Sequence, residues 1–98
     1  MTIEKKIENQ NVTISLGGRL DTTTAPELEK QLDGVLDSAK ELTFDMTGLE
    51  YISSAGLRVL LKAQKAMNSR GCIKLIGVNE SIMEVFEITG FTDILTIE

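Results

Sequence analysis

Leu42-Thr43-Phe44-Asp45-Met46-Thr47-Gly48-Leu49-Glu50-Tyr51-Ile52-Ser53-Ser54-Ala55-Gly56-Leu57-Arg58-Val59-Leu60-Leu61 holds a strand, a crossing and a helix start in one run. Leu42, Phe44 and Met46 alternate with Thr43, Asp45 and Thr47, the period of a strand with one buried face. A short loop crosses, and two serines stand where a helix begins, running from about Ser54 to Ser69. Beyond it Ile73, Leu75 and Gly77 alternate with Lys74, Ile76 and Val78, and Gly71 suits the C-terminal cap of the helix between. Strand, helix and strand in that order require parallel neighbours joined by a right-handed crossover.

The flanks extend the same pattern. Upstream, Gln10-Asn11 is a turn between strands near 2–8 and 11–17, the second alternating cleanly at Val12, Ile14 and Leu16. A helix is predicted over 25–38. Thr24 and Glu27 have capping-box spacing, Pro26 lies in the first turn, and Leu28, Leu32, Val35, Leu36 and Ala39 share a face. Downstream, Asn79 or Ser81 caps a third helix, with Ser81 and Glu84 as a second capping box and Ile82, Val85 and Phe86 as its stripe. Gly90 followed by Phe91 reads as a Schellman stop, and Ile94 and Thr96, with Ile97 at the margin, make a short last strand. The expected fold is α/β, of order β-β-α-β-α-β-α-β, with a mixed sheet and the helices packed mainly on one face. A parallel sheet buried on both faces would lose the alternation these strands keep.

The 98 residues suit one domain over 1–98, and 42% hydrophobic with 26% charged residues is a globular balance. A net charge of -5 argues against direct nucleic-acid binding, which needs clustered Lys and Arg. No run approaches a membrane span, and the charged start Met1-Thr2-Ile3-Glu4-Lys5-Lys6 is unlike a secretory signal, so a cytoplasmic location is expected. Cys72 is the only cysteine and reads as a small core residue. Histidine is absent, which removes Ser-His-Asp and Cys-His catalysis and the usual general base. The expectation is a protein that is not an enzyme. An enzyme using Asp21 and Asp45 as paired carboxylates is the minor alternative.

By residue type Ser54 reads first as a helix N-cap. The same position offers a second reading. A helix N-terminus presents unpaired N–H groups and partial positive charge, which suit a phosphate, so a phosphoserine there could change what a partner meets without unfolding the chain. Arg58, Lys62, Lys65 and Ser69 fall at i, i+4, i+7 and i+11, a basic stripe on an acidic protein. It is either a solvated outer face or a contact surface for an acidic partner. Leu57, Leu60, Leu61, Gln64 and Met67 form the apolar face of that helix.

Ser53-Ser54-Ala55-Gly56-Leu57 resembles the phosphorylation loop of STAS-domain anti-sigma factor antagonists. Gly18-Arg19-Leu20-Asp21 resembles the turn ending that family's second strand, Leu42–Met46 its strand before the loop, and Ser81–Phe91 its last long helix and following Gly. The resemblance runs over nearly the whole chain. It implies a STAS-type fold and a switch. The unphosphorylated antagonist binds an anti-sigma factor that is also a serine kinase, which frees a sigma factor. Phosphorylation by that kinase releases the antagonist, and a metal-dependent serine phosphatase resets it. ATP and metal belong to those partners, so no cofactor is expected. By position Ser54 matches the phosphorylated serine and Asp21 the acidic residue of the neighbouring turn. The family's usual Asp before the site is Ser53 here, which leaves Ser53 as the fallback acceptor. The expected partner surface comprises Asp21, Ser53, Ser54, Gly56, Arg58, Lys62 and Lys65. The alternative for the same fold is a binding subunit of a lipid-transport or stress-signalling complex without a sigma switch. A transporter tail is disfavoured by the length of the chain and the absence of a span.

Overall fold

The computed structural model describes residues 1–68 and 70–98. Ser69, where periodicity ends both the second helix and the basic stripe, lies outside them. Strands β1 (Thr2–Glu8) and β2 (Asn11–Leu20) form an antiparallel hairpin with Glu8 opposite Asn11. Asn9 takes φ 58 at its turn, a left-handed value that asparagine tolerates. Strand β3 (Glu41–Ile52) lies parallel to β2, and β4 (Cys72–Ile76) parallel to β3, giving the order β1-β2-β3-β4. The sheet is mixed, as the pattern predicts.

One face of the sheet carries Val12, Ile14, Leu16, Leu42, Phe44, Met46, Ile73 and Leu75, all buried, while Thr13, Ser15, Thr43, Asp45 and Lys74 alternate with them and are only half-buried. The helices supply the other half of a single core: Leu28 and Leu32 from α1 (Ala25–Leu32), Leu57, Leu60, Ala63 and Met67 from α3 (Ser54–Met67), and Ile82 and Phe86 from α4 (Glu80–Thr89). The helices therefore cover one face, and the polar face stays partly open.

Several local expectations are corrected. The helix predicted over 25–38 is two, α1 and a single turn α2 (Val35–Ser38), because Gly34 between them takes φ 82. Val35 and Ala39 still reach the core. No capping box forms at Thr24: its hydroxyl accepts from the Asp21 N–H at 2.8 Å and donates to the Arg19 carbonyl at 2.7 Å instead. Asn79, not Ser81, caps α4. Its side chain accepts from the Ile82 N–H and donates to the Leu49 carbonyl, both at 2.9 Å, so the cap also ties α4 to β3. Gly71 is no left-handed cap. A side chain there would strike the Lys40 carbonyl, so its constraint is close backbone approach. Gly90 does stop α4, at φ 80, and Phe91 stacks on Phe86 with ring centroids 6.4 Å apart. The last strand reduces to one parallel bridge between Ile97 and Leu75 after a 3-10 turn at Phe91–Asp93. Leu95 is the buried residue there and Ile94 is exposed. Cys72, expected in the core, is exposed at the edge of β4.

Phe44 lies fully buried in the middle of β3, whereas Ile88 on α4 is 83% exposed. Phe44→Ala should lower the free energy of unfolding by about 3–5 kcal/mol, and Ile88→Ala by less than about 0.5 kcal/mol, in urea titrations followed by circular dichroism.

Candidate functional site at the ends of β2 and β3

The parallel register ends with Leu20 opposite Ile52. The Ser53 N–H donates to the Leu20 carbonyl at 2.9 Å, which extends the ladder by one residue before the chain turns. Ser53 is extended (φ -102, ψ 176), and its carbonyl accepts from the Leu57 N–H at 2.9 Å, the first rung of α3. Gly56 then packs directly onto the strand ends. A Cβ there would lie 2.7 Å from Leu20 Cγ and 2.9 Å from Ile52 Cγ1. This crossing separates the two serines. Ser54 is exposed in the first turn of α3, while the Ser53 hydroxyl is shut off from solvent and has no hydrogen-bond partner. Ser54 is thus the first helical residue and not the N-cap that its type suggested. Ser53 holds the N-cap position, and its side chain caps nothing.

Asp21 follows Leu20 and organises the adjoining turn. Its Oδ1 accepts from the Thr23 N–H (3.0 Å), the Thr23 hydroxyl (2.7 Å) and the Thr24 N–H (3.2 Å). These bonds, the Thr23 hydroxyl first, hold its carboxyl below the ordinary 3.8. Arg19 Nε lies 3.7 Å from Asp21 Oδ2, and the guanidinium sits 4.2 Å over the ring of Tyr51, its partner across the β2–β3 register. Arg19 and Tyr51 join the site only through that register, which joins residues far apart in the chain. The presence of Arg19 in the turn motif and of Tyr51 two residues before Ser53 was the one available signal.

Asp45 belongs to a different device. Its Oδ1 accepts from the Thr47 N–H (3.1 Å) and hydroxyl (2.6 Å), where the β2–β3 register slips between Ser15 and Gly17, and its carboxyl is likewise held below 3.8, chiefly by the Thr47 hydroxyl. Along β3 it stands seven residues before Ile52, about 23 Å at ~3.3 Å per residue. The fold does not bring Asp21 and Asp45 together, so the paired-carboxylate arrangement is not built. Among the described residues, no three of His, Cys, Asp or Glu are grouped to hold a metal ion.

Arg58, Lys62 and Lys65 are all exposed on α3, but they are not equivalent. Lys62 Nζ lies 2.6 Å from Glu29 Oε1 on α1, and that hydrogen bond raises the pKa of the amine. Beside this pair runs a groove of about 240 Å³ between α1 and α3, lined by Thr22, Ala25, Pro26, Ala55 and Arg58 among others. Among the described residues the stripe therefore presents Arg58 and Lys65 without an ion-pair partner, and Lys62 already paired.

Two outcomes follow from this geometry. Gly56→Ala should destabilise the domain by about 1–3 kcal/mol in urea titration, since overpacking against Leu20 and Ile52 outweighs the gain in helix propensity. Asp21 is more acidic folded than unfolded, so it stabilises the fold above its unfolded pKa, and that contribution is lost as pH falls through the folded value. The difference in Tm between the parent and Asp21→Asn should be constant above about pH 5 and should close as pH drops below about 4.

Residues 3–96 match the family model described as Mlab, STAS domain. The anti-sigma-B factor antagonist of Staphylococcus aureus is 30% identical over 97 residues, covering 97% of this chain and 90% of its own length. A crystal structure of an anti-sigma factor antagonist from Mycobacterium paratuberculosis superposes with a TM-score of 0.89 at 22% identity, over 98% of this chain and 83% of that one. SpoIIAA, a Bacillus cell fate determinant and anti-sigma factor antagonist, superposes with a TM-score of 0.79 in both forms. The unphosphorylated form is 14% identical, over 99% of this chain and 87% of that one, and the phosphorylated form 15%, over 99% and 91%. With its mixed sheet, its one-sided helices and the exposed serine at the crossing into α3, this chain belongs to the STAS-domain family of anti-sigma factor antagonists.

Proposed function

We propose that this chain is a cytoplasmic anti-sigma factor antagonist, a single STAS domain over 1–98 with no catalytic activity of its own, switched off by phosphorylation of Ser54. The observation that carries the reading is the contrast between the serines: a kinase can reach the exposed Ser54 hydroxyl, whereas the Ser53 hydroxyl is buried behind the crossing. Unphosphorylated, the surface around Asp21, Ser54 and Arg58 binds an anti-sigma factor that is also a serine kinase, and the sigma factor is freed. Ser54 Oγ then attacks the γ-phosphorus of ATP. A P–O bond forms to the serine, the bond to ADP breaks, and the hydroxyl proton passes to a base of the kinase. The product carries about -1.5 to -2 of new charge at the centre of the contact, and the complex separates. A serine phosphatase hydrolyses the ester and restores the hydroxyl. Nothing in the fold has to move, because Ser54 sits outside the core and the N–H groups of the first helical turn tolerate an anion.

The test is to incubate the chain with ATP and serine kinases from its own genome and to map the phosphate by mass spectrometry. Ser54→Ala should fold, bind the kinase and resist labelling, while Ser53→Ala should still be labelled. Ser54→Asp should bind more weakly than the parent, though less so than the phosphorylated form, because a carboxylate carries less charge and a different shape. Labelling that disappears in Ser53→Ala and persists in Ser54→Ala moves the site by one residue. If no kinase binds, a binding subunit of another assembly becomes the better account.

The basic stripe is tested separately. Arg58→Glu with Lys65→Glu should slow association with the kinase severalfold at low salt and leave Tm within a few degrees, since exposed charges steer encounter more than they stabilise a fold. Lys62→Glu should slow it less, because Glu29 already neutralises that amine. Equal association rates in all three would make the stripe a solvated face.

A further inference from the structure

We infer that Arg58 is the internal counter-ion of the Ser54 phosphate, pairing with it along the first turn of α3 and holding it as the dianion. The inference rests on the phosphorylation of Ser54 proposed above. Ser54 and Arg58 stand at i and i+4, so their side chains lie on one face of the helix. Side chains on a helix lean toward its N-terminus, so the long Arg58 chain can reach back to the turn that contains Ser54. Its planar guanidinium can donate two parallel hydrogen bonds to phosphate oxygens, which an ammonium does less well.

The occupancy of the neighbouring cations singles Arg58 out. Arg19 is engaged by Asp21 and lies on Tyr51, and Lys62 is held by Glu29. Among the described residues no carboxylate lies within ion-pair distance of Arg58, although it is exposed at the wall of the α1–α3 groove. The two anions nearest the groove already have partners, while Glu50, exposed near the end of β3, has none among the described residues and acts against the dianion. Asp21, in the turn after β2, is bonded to Thr23, Thr24 and Arg19, and Glu29, on α1, is bonded to Lys62. An added phosphate would meet one unpaired cation within about a turn on its own helix face, and no unpaired anion lines the groove among the described residues. The groove beside Ala55 and Thr22 gives the pair room to lie along the helix.

The consequence is regulatory. A phosphoserine loses its second proton near pH 6, so a free one carries a charge that varies across the acidic side of neutrality. A cation one turn away favours the dianion and lowers that pKa, which keeps the full charge in place as the surroundings acidify.

The experiment uses the full chain with phosphoserine installed chemically or genetically at position 54, titrated from about pH 4 to 8 by phosphorus NMR. Arg58→Gln should raise the second phosphate pKa by about 0.3 unit or more, Arg58→Lys should recover most of the shift, and about 0.5 M salt should shrink the difference. Lys40→Gln, at the far end of the sheet before β3, should leave the titration unchanged. Identical curves for parent and Arg58→Gln would overturn the pairing, as would an equal shift from Lys40→Gln, which would reduce the effect to net charge. No kinase takes part, so these outcomes judge Arg58 alone. Failure of a kinase to label Ser54 would instead remove the proposed switch and leave the titration standing.

Discussion

The missing side chain at Gly56 is the constraint on which the rest of the site depends. Leu20 and Ile52 close β2 and β3, and α3 must cross them at a distance that no Cβ would permit. That approach ties the start of the helix to the sheet, and the bond from Ser53 N–H to the Leu20 carbonyl locks it in register. With the axis fixed there, the residue before the helix points inward and the next one outward. The burial of the Ser53 hydroxyl and the exposure of Ser54 are therefore consequences of one packing contact. An alanine at 56 would lift the helix and loosen the distinction.

The strands were legible because a sheet covered on one face writes its burial into alternate residues. Val12, Ile14 and Leu16, Leu42, Phe44 and Met46, and Ile73 and Leu75 all sit where alternation placed them. What alternation could not show is how far strands run once the register slips. β3 continues past Met46 to Ile52, and β2 to Leu20, through two shifts held in part by Asp45 and Thr47, and those extra residues are what deliver Arg19 and Tyr51 to the site. Helix ends were less legible still. Thr24 and Glu27 have the spacing of a capping box, but the hydroxyl finds better partners in the Asp21 turn. Gly34 sits inside an unbroken apolar stripe that stays buried on both sides of the break, so periodicity alone conceals it. Cys72 was misread by residue type, whereas the alternation itself places it outward: it precedes the inward Ile73 at the start of β4 and is left in solvent.

The surface near Ser54 shows why charged residues resist reading from spacing. Three cations at helical intervals look like one stripe, yet their environments differ because a carboxylate of the neighbouring helix pairs with only one of them among the described residues. Glu29 reaches Lys62 from α1, a contact 33 residues apart in sequence, and turns a free charge into a neutral link between helices. Arg19 is similarly absorbed by Asp21 and by the face of Tyr51. Counting charges along α3 overstates the positive field there, and the pairing pattern relocates it to Arg58 and Lys65.

A switch built at this position has to act through its surface. Core packing leaves little slack for a small local change to propagate, since Leu20 and Ile52 at the crossing and Leu60 on α3 are buried. Ser54 makes no contact on which that packing relies, and its helix start is already uncapped by any side chain. Under the proposed switch, charge added there would meet solvent, free N–H groups of the first turn and the Arg58 cation, and no core contact would have to change. The same charge placed against a partner would be desolvated without compensation, where unpaired ions are most unfavourable. On this reading the off state differs from the on state in what it presents, and the rigidity of the Gly56 crossing confines the difference to that surface.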